Sequence, residues 1–89
     1  MQAIWKVKLD VVDYQAIVLS MDDKILCVQE QDGVPCLWFI KNDISSMEGT
    51  RNFYIYGTGH IYEKIKGKYI NTFQLHNGMA VFHIFEDIE

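Results

Sequence analysis

The chain has 89 residues, enough for one domain but not for two that each bury a core. Its formal net charge is −4, and general nucleic-acid binding needs a basic surface, so that function is not expected. No apolar run is long enough for a membrane-spanning helix, and no secretory signal precedes the first strand pattern. We therefore expect a single domain over residues 1–89 that does not enter a membrane and acts in the cytoplasm.

The first part of the chain predicts two short strands. Residues 3–9 alternate between an apolar face that includes Trp5 and a second face on which Lys6 and a further lysine lie. Residues 10–13 are typical of a turn. The β-branched side chains within residues 15–19 then indicate a second strand.

The next element is a hairpin over residues 24–41. Two apolar runs flank Asp32-Gly33, a pair that strongly indicates a two-residue hairpin loop. The register that follows predicts the pairs Gln31–Val34, Gln29–Cys36, Cys27–Trp38 and Ile25–Ile40. Both faces of this hairpin are apolar, so we expect it to be central and covered on both sides. Its two cysteines are diagonal neighbours beyond the usual disulfide span, and we expect them to be reduced.

The middle of the chain predicts a loop, a strand and a polar segment. Residues 42–50 show neither the alternating pattern of a strand nor its hydrophobicity, and we expect them to form a loop that includes at most one short helical turn. Residues 52–56 are strongly β-forming. Residues 61–68 are polar and lysine-rich, and the sequence predicts that they are mobile.

The last element is a second hairpin, built around Asn77-Gly78. The predicted pairs are Phe73–Phe82, Leu75–Ala80 and Thr72–His83. The face predicted for the core carries Tyr69, Phe73, Leu75, Ala80, Phe82 and Ile84. The opposite face carries Ile70, Thr72, Gln74, Met79, Val81, His83 and Phe85.

About seven short strands with tight turns and no helical periodicity predict an all-β fold, either an antiparallel β-sandwich or a small barrel. Aromatic residues make up 13% of the chain, which is a large share for the interior of so small a domain. Some of this apolar surface is therefore expected to be covered by a second copy. The sequence accordingly predicts a homo-oligomer, in its simplest form a two-fold dimer.

Gly57-Thr58-Gly59-His60 is the most unusual local stretch. Two glycines at a strand end allow positive φ and close approach of a ligand to the backbone. Successive amides there would form an anion-binding nest, with the Thr58 hydroxyl and the His60 ring as further donors. The alternative is an ordinary tight turn with a bulge.

A stacking ring and a cation near such a nest would suit a nucleotide-like ligand. Trp5 and Tyr56 are the candidates for the ring, and Lys6 is a candidate for the cation. The other side chains of suitable chemistry are Trp38, Tyr54, Tyr69, Lys8, Arg51, Lys64, Lys66 and Lys68. Each also has an ordinary explanation as core or as solvated surface, and sequence does not show whether these side chains converge.

Catalysis and metal binding are not expected. The three histidines, His60, His76 and His83, match no metal-ligand spacing. A nucleophilic pair of Cys36 with His83 remains open, although both cysteines lie beside large apolar residues that disfavour the thiolate. We therefore predict no metal, no cofactor and no enzymatic activity.

Several short motifs are distributed along the chain: Ile4-Trp5-Lys6, Pro35-Cys36-Leu37-Trp38, Tyr56-Gly57-Thr58-Gly59-His60, Thr72-Phe73-Gln74-Leu75, Gly78 and Val81-Phe82-His83-Ile84-Phe85. With these motifs the chain resembles a family of small bacteriophage and prophage proteins of unknown function. The resemblance implies a non-enzymatic accessory protein of the phage, acting in the host cytoplasm. Such a protein would counter host defence by sequestering a nucleotide-like immune signal. Direct inhibition of a host defence protein, and a role in the virion or its assembly, are the alternatives.

Overall fold

A computed structural model describes residues 1–42 and 49–89, and the described chain forms seven strands. They are β1 (Ala3–Lys8), β2 (Tyr14–Val18), β3 (Lys24–Gln31), β4 (Val34–Lys41), β5 (Thr50–Gly57), β6 (Lys68–Leu75) and β7 (Ala80–Asp87). Neighbouring strands all pair antiparallel, in two sheets with the orders β1-β4-β3 and β2-β5-β7-β6. The predicted all-β antiparallel fold is confirmed. The helical turn considered for residues 42–50 falls mostly outside the described residues.

The first hairpin follows the predicted register for most of its length. Its two loop residues both have positive φ, as the favoured hairpin turn requires, and the pairs Gln31–Val34, Gln29–Cys36 and Cys27–Trp38 are confirmed. The fourth pair is wrong, because Ile25 lies opposite Phe39 and not Ile40. Leu26 is an extra residue at this point, a β-bulge that turns Ile25 towards the core and leaves Leu26 exposed.

The expectation that this hairpin is central and covered on both faces is wrong in part. β4 is the middle strand of its sheet, but β3 lies at an edge. The inner face, which includes Leu37, is fully buried. Among the described residues no strand packs on the outer face. There the ammonium of Lys6 lies 5.4 Å from the centre of the Trp38 ring and also donates to the Gln31 side chain.

The second hairpin also keeps its predicted pairs, Phe73–Phe82, Leu75–Ala80 and Thr72–His83. Its loop is wider than two residues, because His76, Asn77 and Gly78 all have positive φ and strand pairing stops at the pair Leu75–Ala80. Phe82 is only partly buried, with its ring centre 5.7 Å from that of the buried Phe73.

A second bulge, at Ile70, changes which side chains of β6 face the core. The register shifts between Tyr69 and Asn71, so Ile70 packs against the core and Tyr69 points outwards with 55% of its surface exposed. The prediction that Tyr69 belongs to the core face and Ile70 to the opposite face is therefore wrong. Nothing in the strand sequence marks the extra residue, since no glycine or proline interrupts it.

The core lies between the two sheets. Its buried members are Leu9, Ile17, Leu19, Val28, Leu37, Phe39, Phe53, Ile55, Phe73, Leu75 and Ile84. They come from both sheets, so burial of these side chains holds the sandwich together. The described part of the chain contains no helix long and apolar enough to cross a membrane.

The connection from β5 to β6 is anchored to the outer face of the four-stranded sheet. These strands flank β7 and run in the same direction, so residues 58–67 must cross from one end of the sheet to the other. The Tyr62 ring packs on the Tyr56 ring at 4.8 Å, and the hydroxyl of Tyr56 accepts from the N–H of Lys66 at 2.9 Å. The polar segment predicted to be mobile is therefore tied to β5 by specific contacts.

Candidate ligand-binding cleft

The side chain of Asn71 links the facing edges of the two sheets. The carboxamide of Asn71 in β6 accepts from the N–H of Val28 at 2.6 Å and donates to the carbonyl of Val28 at 2.8 Å. These are the two bonds that a neighbouring strand would have made with this residue. Val28 is fully buried, and β3 and β6 pack against each other here. The edges are thus joined by a side chain, and a gap remains between the two backbones.

Towards the start of both strands this gap forms a cleft of about 470 Å³, within the usual range of small-molecule sites. The two bulges, at Leu26 and at Ile70, stand on its opposite sides, and bulges commonly adjoin binding sites. The lining residues are Asp22, Asp23, Lys24, Ile25, Leu26, Arg51, Lys68, Tyr69, Ile70 and Glu86. We call this space the β3–β6 cleft.

Arg51 forms part of the cleft wall but is fully engaged. Its guanidinium makes a bidentate pair with Glu86, at 2.6 and 2.8 Å, and donates to the carbonyls of Asp23 at 2.7 Å and Ser20 at 3.1 Å. The hydrogen bond to Glu86 is the largest cause of the raised pKa of Arg51. Arg51 therefore ties the β2–β3 connection to the four-stranded sheet, and its charge is neutralised locally.

A second ion pair lies behind the wall. The ammonium of Lys41 is 3.3 Å from Oδ2 of Asp23, and both side chains are 1% exposed. The same oxygen accepts from the N–H of Ser20 at 3.0 Å. A buried ion pair of this kind fixes the positions of its partners, because removing either one leaves an uncompensated charge.

Two cations remain available at the cleft. Lys24 and Lys68 begin β3 and β6, and within residues 1–42 and 49–89 neither ammonium has an ion-pair partner. Arg51 with Glu86 and Asp23 with Lys41 form the two internal pairs. Among the other described lining residues, the charged side chains are these two lysines and the exposed carboxylate of Asp22. The described lining therefore carries two positive charges against one negative, in a chain of net charge −4.

Tyr69 also lines the cleft, and its ring lies beside it on the outer face of the four-stranded sheet. The bulge at Ile70 turns the ring outwards, where its edge packs on Phe85 at 5.4 Å and its hydroxyl bonds to Thr72 at 2.9 Å. More than half of the side chain is exposed. The ring is thus held in position while a large part of it is open to a ligand.

A groove on the other side of Asn71 differs in its charge. It measures about 460 Å³ and is lined by Gln29, Glu30, Thr72, Phe73, Gln74, Asn77 and Gly78. Among its described lining residues the one charged side chain is that of Glu30, so this part of the chain offers the groove no cation for an anionic ligand.

The Gly57–His60 stretch forms a tight turn at the end of β5. Gly59 has a φ of +83°, as the glycine pattern predicts. Three of the four amides already donate within the chain. Gly57 donates to the Tyr62 hydroxyl at 2.9 Å, Thr58 to the Val81 carbonyl at 3.1 Å and His60 to the Gly57 carbonyl at 3.3 Å. These bonds occupy most of the donors that an anion-binding nest would use.

The other predicted site residues lie apart from this turn. Trp5 and Lys6 are on β1 in the three-stranded sheet, and as neighbours on a strand they point to opposite faces. Tyr56 adjoins the turn, but Tyr62 and Phe85 cover its ring and leave it 8% exposed.

A groove of about 200 Å³ lies beside the turn, and its described lining contains no lysine or arginine. The lining residues are Val11, Val12, Asp13, Ile55, Gly57, His60, Tyr62 and Phe82. The seven predicted residues are thus not brought together in one pocket, and their role in ligand binding stays a prediction. Of the further aromatic and basic candidates, Tyr69, Lys68 and Arg51 meet in the β3–β6 cleft. Sequence reasoning missed Lys24 and Asn71.

The structure gives no support to the Cys36–His83 nucleophile. The two ring nitrogens of His83 bond to the hydroxyls of Thr58 at 2.7 Å and Thr72 at 2.8 Å, and both cysteines are free thiols. Cys36 is buried, with its sulfur 3.7 Å from the carbonyl of Val34. Among the described residues no cluster of histidine, cysteine and carboxylate side chains is placed to hold a metal ion.

The fold and the cleft define a small all-β sandwich with a cleft between its sheets, whose described lining includes two lysines and a tyrosine. The chain belongs to the family described as domain of unknown function DUF7352, which matches residues 1–89. No curated protein and no solved structure matches the chain.

Proposed function

We propose that this protein is a binding module that holds an anionic, nucleotide-like ligand in the β3–β6 cleft and releases it chemically unchanged. The observation that carries the proposal is that Tyr69, Lys24 and Lys68 all line one space of about 470 Å³, with neither ammonium group in an ion pair within the described residues.

The chemistry of the lining fits such a ligand part by part. A base stacks on an aromatic ring, and this contact tolerates any base because each has a π face. Phosphate oxygens accept charge-assisted hydrogen bonds from lysine ammonium groups. The apolar side chains of Ile25, Leu26 and Ile70 offer a wall for the flat body of the base. The ion pairs of Arg51 and Asp23 hold the wall in place without contributing net charge.

A binding role is favoured over a catalytic one by the kind of residues at the cleft. Its described lining contains no histidine, the side chain that most often acts as a general base near neutral pH, and no cysteine or serine that could act as a nucleophile. The resemblance to phage and prophage proteins supports a use for such binding: a host immune signal of nucleotide type would be sequestered in the infected cytoplasm.

Calorimetric titration of the purified protein with a panel of nucleotides, including cyclic mononucleotides and dinucleotides, tests the proposal. At least one member should bind, and the nucleoside without phosphate should bind far more weakly. Lys24→Ala and Lys68→Ala should each weaken binding roughly tenfold to a hundredfold, as expected for the loss of one charge-assisted contact.

Matched variants test whether the nucleotide binds in the β3–β6 cleft or at another surface. Lys8→Ala removes an exposed lysine from the edge strand β1 and should leave affinity unchanged. Tyr69→Phe keeps the ring and should bind, whereas Tyr69→Ala should not. His60→Ala probes the turn at the end of β5. Failure of the whole panel to bind, or an affinity that depends on His60 and not on Lys24 and Lys68, would contradict the proposal.

A second candidate function is direct inhibition of a host protein, and the outer face of the three-stranded sheet favours it. Ile4 is 65% exposed there, beside the half-buried Trp38 and Ile40. An apolar face of this kind suits a protein partner. Recovery of one host protein in stoichiometric amount, lost in Ile4→Asp but not in Lys68→Ala, would favour this candidate over the nucleotide ligand.

A further inference from the structure

The edge strands of the two sheets differ in how they are protected. β3 and β6 face each other, and the side chain of Asn71 makes hydrogen bonds with the backbone N–H and C=O of Val28 at the edge of β3. β1 carries Lys6 and Lys8, and lysines on an edge discourage pairing with another chain. β2, with the sequence YQAIV, has no charge, no proline and no bulge over its five pairs with β5. Of the four edges in the described chain, β2 alone lacks these protections.

The hydrogen bonds of β2 show which of its backbone groups are open. The N–H of Ile55 donates to the carbonyl of Asp13, and the N–H of Leu19 donates to the carbonyl of Gly49. In an antiparallel ladder the bonded residues alternate, so the odd-numbered residues of β2 bond to β5. The N–H and C=O groups of the even-numbered residues, Tyr14, Ala16 and Val18, therefore point to the open edge, and all three side chains are exposed.

We infer that β2 is the contact surface for a second copy of this chain, which pairs antiparallel with it about a two-fold axis at Ala16. In this register Ala16 pairs with Ala16 of the second copy, and Tyr14 pairs with Val18 in both directions. All three pairs then involve residues whose backbone N–H and C=O groups point away from β5. Each of these N–H and C=O groups therefore gains a hydrogen-bond partner in the second copy. No shifted two-fold register satisfies all of them within the strand.

The side chains of β2 also favour a second copy of this chain as the partner. Tyr14 lies opposite Val18 of the second copy, and aromatic with β-branched residues are favourable cross-strand pairs. The Tyr14 ring is already positioned by Tyr54, at 4.8 Å, and by the bond of its hydroxyl to Asp87 at 2.6 Å. No charge opposes another along the strand. The two four-stranded sheets become one continuous eight-stranded sheet, and the β3–β6 clefts lie at its far ends.

Proline substitution at an edge-directed amide tests the inference without disturbing the pairing of β2 with β5. Wild-type protein at tens of micromolar should have twice the mass of the chain by light scattering coupled to gel filtration. Ala16→Pro should have the mass of one chain. Ile4→Pro, at an edge-directed position of β1, is the matched control and should retain the dimer mass. A monomeric wild type, or an unaltered dimer of Ala16→Pro, overturns the inference.

Cross-linking tests the register independently, even if the proline variant fails to fold. Two residues paired across the axis have Cα atoms about 5.5 Å apart, within disulfide reach. Ala16→Cys should therefore form a covalent dimer under mild oxidation. Val18→Cys should not, because the two copies of this residue lie about 14 Å or more apart. Wild type supplies the baseline for the native cysteines. Equal cross-linking of both variants, or of neither, contradicts the proposed register.

Discussion

Removing the carboxamide of Asn71 should destabilise the fold far more than its partial exposure suggests. Asn71→Ala leaves the N–H and C=O of Val28 without partners at a position that is fully buried. Each unsatisfied buried polar group costs about 1–3 kcal/mol, so the two together should cost about 2–6 kcal/mol. The free energy of unfolding of a domain is typically about 5–15 kcal/mol, so this substitution should remove a large part of it.

Urea unfolding monitored by circular dichroism measures this change through the midpoint and slope of the transition. Asn71→Asp keeps the shape and the acceptor but presents a second oxygen to the carbonyl of Val28, so it should also destabilise at neutral pH. Gln74→Ala, an exposed position on the same strand, is the control and should change stability by no more than about 0.5 kcal/mol. A change in Asn71→Ala as small as in that control would show that the bridge between the sheets contributes nothing.

Three further predictions use other parts of the structure. Gly67→Ala should lower the unfolding midpoint more than Gly59→Ala. Both glycines have positive φ, a conformation that costs a residue with a side chain about 1–2 kcal/mol. At Gly67 the added Cβ would in addition lie 2.6 Å from the backbone oxygen of Glu86, whereas at Gly59 it would meet no atom within 4 Å. Phe73→Ala should cost about 3–5 kcal/mol in the same assay. The hydrogen bond to Asp87 raises the pKa of Tyr14 to about 12 from 10.0, which favours the neutral phenol in the fold. This stabilisation is present below pH 10 and is lost as the pH rises towards 12, so an absorbance titration of Tyr14→Phe should show one tyrosine step fewer above pH 10.

The register of both hairpins is largely predictable from local sequence because the turn residues set it, whereas the pairings β1–β4, β2–β5 and β5–β7 join strands that no tight turn connects. The pair at positions 32 and 33 fixes one hairpin, and the predicted pairs hold until the bulge at Leu26. Each bulge adds one residue to a strand, and no glycine or proline in the sequence marks its position. Because side chains alternate along a strand, the extra residue moves the side chains beyond it to the opposite face of the sheet. For this reason Tyr69 and Ile70 face the opposite way from the prediction, and Ile25 pairs with Phe39 in place of Ile40.

The cleft was harder to foresee, because it depends on how the two sheets meet. Tyr69 and Lys68 have suitable chemistry, but only the packing of β3 on β6 brings them together with Lys24. One sequence signal was available. Asn71 is a polar residue two positions before the core residue Phe73 on an apolar strand, where a polar side chain must find a buried partner. Its partner, Val28, lies in the other sheet and 43 residues away, which no local pattern reveals.

The central claim is that the β3–β6 cleft holds an anionic, nucleotide-like ligand, and mapping of backbone amide NMR shifts tests it most directly. Labelled protein is titrated with the nucleotide that binds best in calorimetry. We expect the largest shifts at residues 24–26 and 68–70, on the two sides of the cleft. Shifts concentrated at residues 57–60, or no shift with any nucleotide at saturating concentration, would contradict the account.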